Sequence, residues 1–375
     1  MCNLTINGGF LDNTSGAAVS LATNNLQSWN GDFTFLGTGG STLNMGTGAV
    51  TLSADRTVTV SAGTFAVGGV IGGTYSLVKA GAGTLTLSGA NTYSGGLAIT
   101  AGQVNLNHSA AAGTGTLTIS GGVIDNTSGS SNTLSNAAHI WNGDFTFVGS
   151  DNLNTGSGDI TLNAGTVTVL ANTLTIGGIL GGSIGLTKAG PGRLYLDASA
   201  TYAGPTVVDA GSLETSGDDF LPMGNDLTIG DAGTVTFASL QTIHSLSGSG
   251  KLFVGNTLTI SNGSGNAFAG VLSGTGNVTL GSGTLTLGGA NTYSGITTLD
   301  SGALLKLAHA TALGGTAGYT DAFTYTSGSP LTLGAGPYTS TGEKGDHLVM
   351  MLAVGTSASG GITPSETLTV GWDEI

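Results

Sequence analysis

The chain has 375 residues, of which 69 are glycine, 7% are charged and 39% are hydrophobic, and its formal net charge is −14. Seven Lys and Arg without a cluster disfavour nucleic acid and anionic lipid as partners, because both are held by grouped cations that release counterions. Glycine spread this evenly argues against helices, at about 1 kcal/mol per interior Gly, and the apolar content is too high for a disordered chain.

Cys2 is the single cysteine, so no internal disulfide supports the fold, which suits a chain exported unfolded. The first residues show neither a basic start nor an apolar stretch of the secretory type. The longest nonpolar run, 348–354, falls far short of the roughly 20 residues of a membrane helix. Residues 4–9, LTINGG, match LTISGG at 117–122. The expectation is a chain that starts inside a repeat, as a segment of a larger protein or a misplaced gene start.

Along the chain, GGFLDNTSG at 8–16 returns as GGVIDNTSG at 121–129, and WNGDFTF at 29–35 returns at 141–147. This long unit is about 110 residues, and an eroded third copy runs from DLTIGDAGTVTF at 226–237 through the block at 281. Alternating stretches fill the units: TVTV at 57–60, TLTL at 84–87, TLTI at 116–119, TVTV at 166–169 and TLTI at 257–260. Successive strand side chains point to opposite faces, so Leu85 and Leu87 are predicted inward, and Thr84 and Thr86 outward. A shorter block, GAGTLTLSGANTYSG at 81–95, returns as GPGRLYLDASATYAG at 190–204 and GSGTLTLGGANTYSG at 281–295.

Strands every 8 to 12 residues with Gly-rich corners also fit a sandwich or barrel. The repeats favour an all-β parallel β-helix (a solenoid), each turn covering its neighbour's open edge, with corner glycines supplying positive φ. At about 20 to 25 residues per turn the chain holds roughly 15 turns, a rod on the order of 70 Å at about 4.8 Å per turn. The repeats run through 1–315. Residues 316–375 lack them, carry Asp321, Glu343, Lys344, Asp346, Glu366, Asp373 and Glu374, and are expected to form a β cap or to start another module.

The blocks at 79–96, 188–204 and 281–295 resemble the autotransporter-associated β-strand repeat, also called the passenger-associated transport repeat. The middle one departs from the other two, with Ala200 where they carry Asn91 and Asn291, and with Arg193 and Tyr195 in its strand. The resemblance implies a right-handed parallel β-helix passenger, exported by Gram-negative bacteria and displayed at or released from the cell surface, with repeats that assist folding during secretion. It also implies an outer-membrane translocator in the parent protein. The function expected is a non-catalytic stalk or adhesin-like rod, facing host or environmental glycans or surfaces.

The alternative is a carbohydrate-active or carbohydrate-binding β-helix with a site in the acidic stretch 197–231: Asp197, Asp209, Glu214, Asp218, Asp219, Asp226 and Asp231. Paired carboxylates perform acid–base chemistry on polysaccharides, but the Asn-Thr-Asp, Gly-His-Gly and Arg-x-Lys elements of such hydrolases are missing from the sequence, which favours a solvated loop. His108, His139, His244, His309 and His347 lack metal-ligand spacing and are expected in loops or on the surface. Residues 156–159 are one partial echo of a calcium-binding nonapeptide, not an array. No phosphate loop or serine-nucleophile motif occurs. Trp29 and Trp141 are expected to pack between turns, with sugar stacking as the alternative, and Tyr93, Tyr202 and Tyr293 to form a turn ladder. An ice-binding surface would need a flat array of outward Thr, which the irregular insertions oppose. No catalytic, cofactor-binding or metal-ligating residue is therefore expected.

Overall fold

The computed structural model describes residues 3–314 and 331–333, and the chain divides into two compact units, Met1–Ala203 and Gly204–Ile375. Most strands are two to six residues long, the exceptions being Thr206–Thr215 and Asp226–Phe237. Among the described residues no helix is long and apolar enough to cross a membrane. The tail expected to be a cap lies outside the described residues apart from Leu331–Leu333, which pairs antiparallel with Thr297–Leu299.

In the first unit each strand pairs in parallel with strands one turn away. Leu85 is the register partner of Phe65 and Val104, and Phe35 that of Val60, so a turn takes 19 to 25 residues in these places. The alternation expected from Thr and Leu is observed: Thr84–Leu87, Thr166–Val169 and Thr173–Ile176 each bury every second residue. Register partners therefore line up as interior files. One file runs Leu43, Phe65, Leu85, Val104, Ile124, Phe147 and Val169. Every side chain in it is buried, and burial at about 25 cal/mol per Å² of apolar surface is the main stabilising term. The chain thus folds as a parallel β-helix because each turn presents one apolar face inward and one row of backbone donors and acceptors to each neighbour.

Two kinds of corner explain the glycine content. At Gly81 φ is +77°, a left-handed conformation that glycine adopts without steric cost, as expected from the sequence. At Gly69 and Gly89 the reason is different. A Cβ on Gly89 would lie 2.1 Å from the carbonyl oxygen of Gly69, and one on Gly69 would lie 2.0 Å from that of Gly48. Successive turns approach so closely at this corner that no side chain fits.

The second unit repeats the arrangement. Leu213, Val235, Leu252 and Leu272 form one interior file, and Ile243, Ile260, Leu280 and Leu299 another. On the outer face the partners of the second file are Thr242, Thr259, Thr279 and Thr298. This is a single file of hydroxyls. The next outward pair on the same sheet is Thr257 and Asn277, so the two-dimensional Thr array is not built here.

Candidate functional site

Four carboxylates of the acidic stretch are anchored to the following turn. Asp218 Oδ1 accepts the Leu240 amide at 2.9 Å. Asp219, left-handed at φ +50°, accepts the Thr242 amide at 2.6 Å and donates its own amide to the Leu240 carbonyl at 2.9 Å. Asp226 Oδ1 accepts the Ser245 hydroxyl at 2.5 Å and lies 2.7 Å from His244 Nδ1. Asp231 accepts the Ser249 hydroxyl. Asp209 is exposed where the strand Thr206–Thr215 shifts register, and Glu214 faces outward opposite Thr236. Asp197 follows the strand Arg193–Leu196 in the first unit.

The bond from Ser245, and then that from His244, holds the Asp226 carboxyl below the usual carboxylate range. A carboxyl so placed is a lasting acceptor, whereas a general acid at neutral pH needs its pKa raised. The bonding geometry makes Asp218, Asp219, Asp226 and Asp231 ties between turns.

Trp29 and Trp141 are buried at 0% and 1% exposure, which removes the stacking-platform alternative. Each meets the phenylalanine four residues on edge to face, Trp29 with Phe33 at 5.0 Å and 75°, Trp141 with Phe145 at 4.9 Å and 72°. Tyr93, Tyr202 and Tyr293 are also buried, but their places in sequence put several turns between successive members. They fill equivalent positions singly.

His139 corrects the expectation of a surface histidine. It occupies an interior file between Leu117 and Ile160, with Nε2 3.0 Å from the Thr155 carbonyl and Nδ1 buried without a hydrogen-bond partner. Burial lowers its pKa to about 4, against the smaller raising effect of the Thr155 bond, so the ring is neutral at pH 7. His108 and His309 each use Nδ1 to accept a backbone amide two residues on, and His347 lies outside the described residues. Among the described residues no three His, Cys, Asp or Glu side chains gather where a metal ion could sit.

The repeats place two further devices that composition does not reveal. The carboxamide of Asn91 is buried; Oδ1 accepts the Ile71 amide at 2.8 Å and Nδ2 donates to the Ala111 carbonyl at 2.7 Å. Asn291 does the same between Leu272 and Ala312, at 2.8 and 2.6 Å. In the middle copy Ala200 bridges Leu180 directly through the backbone, so no carboxamide is needed there. Lys79 stands in an interior file between Val58 and Ile99, and its Nζ donates to the carbonyls of Gly81 and Ala101 at 2.7 and 3.0 Å. Lys188 donates to Ala189 and Gly190 at 3.0 and 2.7 Å. Burial lowers both ammonium pKa values to about 8. Their signal in the sequence was the pattern Leu-x-Lys at 77–79 and 186–188, which puts lysine in phase with inward leucine.

The fold is thus a repeat-built parallel β-helix in which the inward Asn recurs in the first and third blocks and the inward Lys in the first and second. The Passenger-associated-transport-repeat family matches residues 77–106, 186–214 and 278–305, so the chain carries three such repeats. It is 45% identical over 87 residues to the Adhesin BmaC autotransporter of Brucella suis biovar 1 (strain 1330). That match covers 22% of this chain and 2% of the relative's length. No solved structure matches the chain. The repeats and the autotransporter relative indicate export to the bacterial outer surface.

Proposed function

We propose that the chain is a non-catalytic segment of a surface passenger, acting as a stiff adhesin-like stalk whose repeats assist folding during export. The observation that carries this reading is the Asn91 and Asn291 clamp, which joins three consecutive turns inside two of the three matched repeats. Such a clamp rewards each new turn as it is added, which favours folding that proceeds along the coil. An outer-membrane translocator in the parent protein is the partner this reading requires, and glycans or surfaces outside the cell are its targets.

The carbohydrate-active alternative loses its support where Asp218, Asp219, Asp226 and Asp231 are each held by a different backbone or side-chain donor. The test is surface display of the chain fused to an autotransporter translocator. Asn91→Ala with Asn291→Ala should lower the displayed fraction while leaving transcription and cytoplasmic amounts unchanged. Full display of the double variant would reject the folding role. Release of reducing sugar from polysaccharide, lost in Asp218→Asn with Asp219→Asn, would reject the non-catalytic role.

A further inference from the structure

Three of the four Asn–Gly pairs of the chain stand at one kind of corner. Asn7–Gly8 follows the strand Leu4–Ile6, and Asn30–Gly31 follows Gln27–Trp29, which pairs with it one turn on. Asn142–Gly143 is the counterpart of Asn30–Gly31 in the second long repeat, where Ser120–Gly121 takes the place of Asn7–Gly8. The fourth pair, Asn262–Gly263, leads into the strand Gly263–Phe268.

These glycines fall into two kinds. Gly31 donates its amide to the Ile6 carbonyl at 3.0 Å and Gly143 to the Ile119 carbonyl at 3.2 Å. Asn30 and Asn142 donate their own amides to the same two carbonyls at 2.7 Å. The backbone is also pressed against the preceding turn. A Cβ on Gly31 would lie 2.3 Å from the Asn7 carbonyl oxygen, and one on Gly143 would lie 2.2 Å from that of Ser120. Gly8 is open instead. Among the described residues its amide has no acceptor, and a Cβ there would meet nothing nearer than the Asp32 carbonyl oxygen at 3.4 Å. Gly121 shares both features, with its nearest neighbour at 3.9 Å, although a turn precedes it. The two have similar backbones, at φ +128° and +144°. The open glycine is thus a property of the corner.

We infer that Asn7 is a spontaneous deamidation site in the folded protein, converting to aspartate and isoaspartate while Asn30 and Asn142 are protected. Hydroxide removes the Gly8 amide proton, the nitrogen attacks Cγ of Asn7, and the bond from Cγ to Nδ2 breaks. Ammonia leaves and a cyclic succinimide remains. Water then opens the ring at one carbonyl or the other, giving aspartate or isoaspartate. The reaction needs a following amide that can lose its proton and swing toward Cγ, and glycine hinders that movement least. In Asn30 and Asn142 the bond to the preceding turn holds that proton. The side chains do not make the difference, because the Oδ1 of Asn7 and that of Asn142 each accept a carboxamide, from Asn30 at 3.1 Å and from Asn163 at 2.8 Å. Conversion adds one negative charge, and the isoaspartyl product adds one backbone carbon between the strands Leu4–Ile6 and Gly9–Leu11.

Incubation of the full chain in mildly alkaline heavy-oxygen water, followed by peptide mapping with mass spectrometry, tests it. In the folded chain Asn7 should convert at least about tenfold faster than Asn30 or Asn142, and in denaturant the three rates should lie within about threefold of one another. Ser120→Asn builds the same pair inside the second repeat. Ser120 donates its own amide to the Ile99 carbonyl at 2.8 Å, so this variant isolates the open glycine. The introduced side chain should convert at least about fivefold faster than Asn142 of the same protein. Conversion of Asn7 no faster than that of Asn30 or Asn142, the same preference retained in denaturant, or a Ser120→Asn site as slow as Asn142 would overturn the inference. Surface display does not enter these readouts, so the passenger reading stands or falls separately.

Discussion

The carboxamide oxygen of Asn91 accepts the backbone amide of Ile71, 20 residues earlier, at 2.8 Å inside the core. A side chain here supplies the hydrogen bond that a strand would otherwise supply, where the chain leaves the sheet at a corner. Buried backbone groups are almost always paired, and Asn91 pairs one donor behind it and one acceptor ahead of it.

Asn91→Ala orphans the Ile71 amide and leaves the Ala111 carbonyl only the longer 3.4 Å bond from the Tyr93 hydroxyl, and should cost about 2–3 kcal/mol. Asn91→Asp should cost at least as much, since a carboxylate cannot donate to Ala111. The converse change in the middle repeat, Ala200→Asn, should bring no gain, because Leu180 is already bridged by the backbone there. Chemical denaturation of the three variants checks the order.

Lys79 and Lys188 make stability rise with pH on the alkaline side. Their folded pKa values of about 8 lie below the ordinary 10.5 of the unfolded chain. Between these values the unfolded state binds more protons, so unfolding free energy increases with pH across that window. The gain should reach roughly 1–3 kcal/mol per lysine by pH 10. The Lys79→Met, Lys188→Met double variant should lose the rise, read as the difference between the two proteins at pH 7.5 and pH 10.

On the acid side His139 acts in the same direction. Its folded pKa of about 4 lies below the ordinary 6.5, so a contribution present above pH 6.5 is lost as pH falls toward 4. The loss should be on the order of 2–3 kcal/mol. His139→Leu, which matches Leu117 in the same file, should flatten this part of the profile. An equally steep decline in the leucine variant would show that other groups cause it.

The inside–outside alternation is tested most simply at Leu87 and Thr86. Leu87 is fully buried, and Leu87→Asp should cost several kcal/mol by burying an unpaired charge. Thr86 faces outward and its hydroxyl accepts the Asn105 amide at 2.9 Å, a bond that serine retains. Thr86→Ser should therefore change stability by less than about 0.5 kcal/mol.

The strand faces were legible because Thr and Leu alternate at the period of an extended chain, as at 84–87 and 173–176. The corners were legible as glycine, though the close approach at Gly69 and Gly89 was not, since it depends on the neighbouring turn. Lys79 and Lys188 escaped notice, and His139 was expected outside, because residue type places charge and imidazole outside, while the alternation places them inside. Packing decided in favour of the alternation, with backbone carbonyls accepting from the two ammonium groups and lying beside the imidazole. In the acidic stretch, nearness in sequence is not nearness in space on a coil. Residues about half a turn apart face different sides, and Asp218, Asp219, Asp226 and Asp231 find their partners about a turn away, as Asp219 does at Thr242.

The distance between spin labels at Thr64→Cys and Thr84→Cys, in a Cys2→Ser background, tests the stacked parallel turns most directly. These outward positions are register partners, about 4.8 Å apart at the backbone. Strong dipolar broadening of the continuous-wave spectrum, absent from either single-label protein, is the predicted result. An unbroadened spectrum in a folded, β-rich protein would contradict the account.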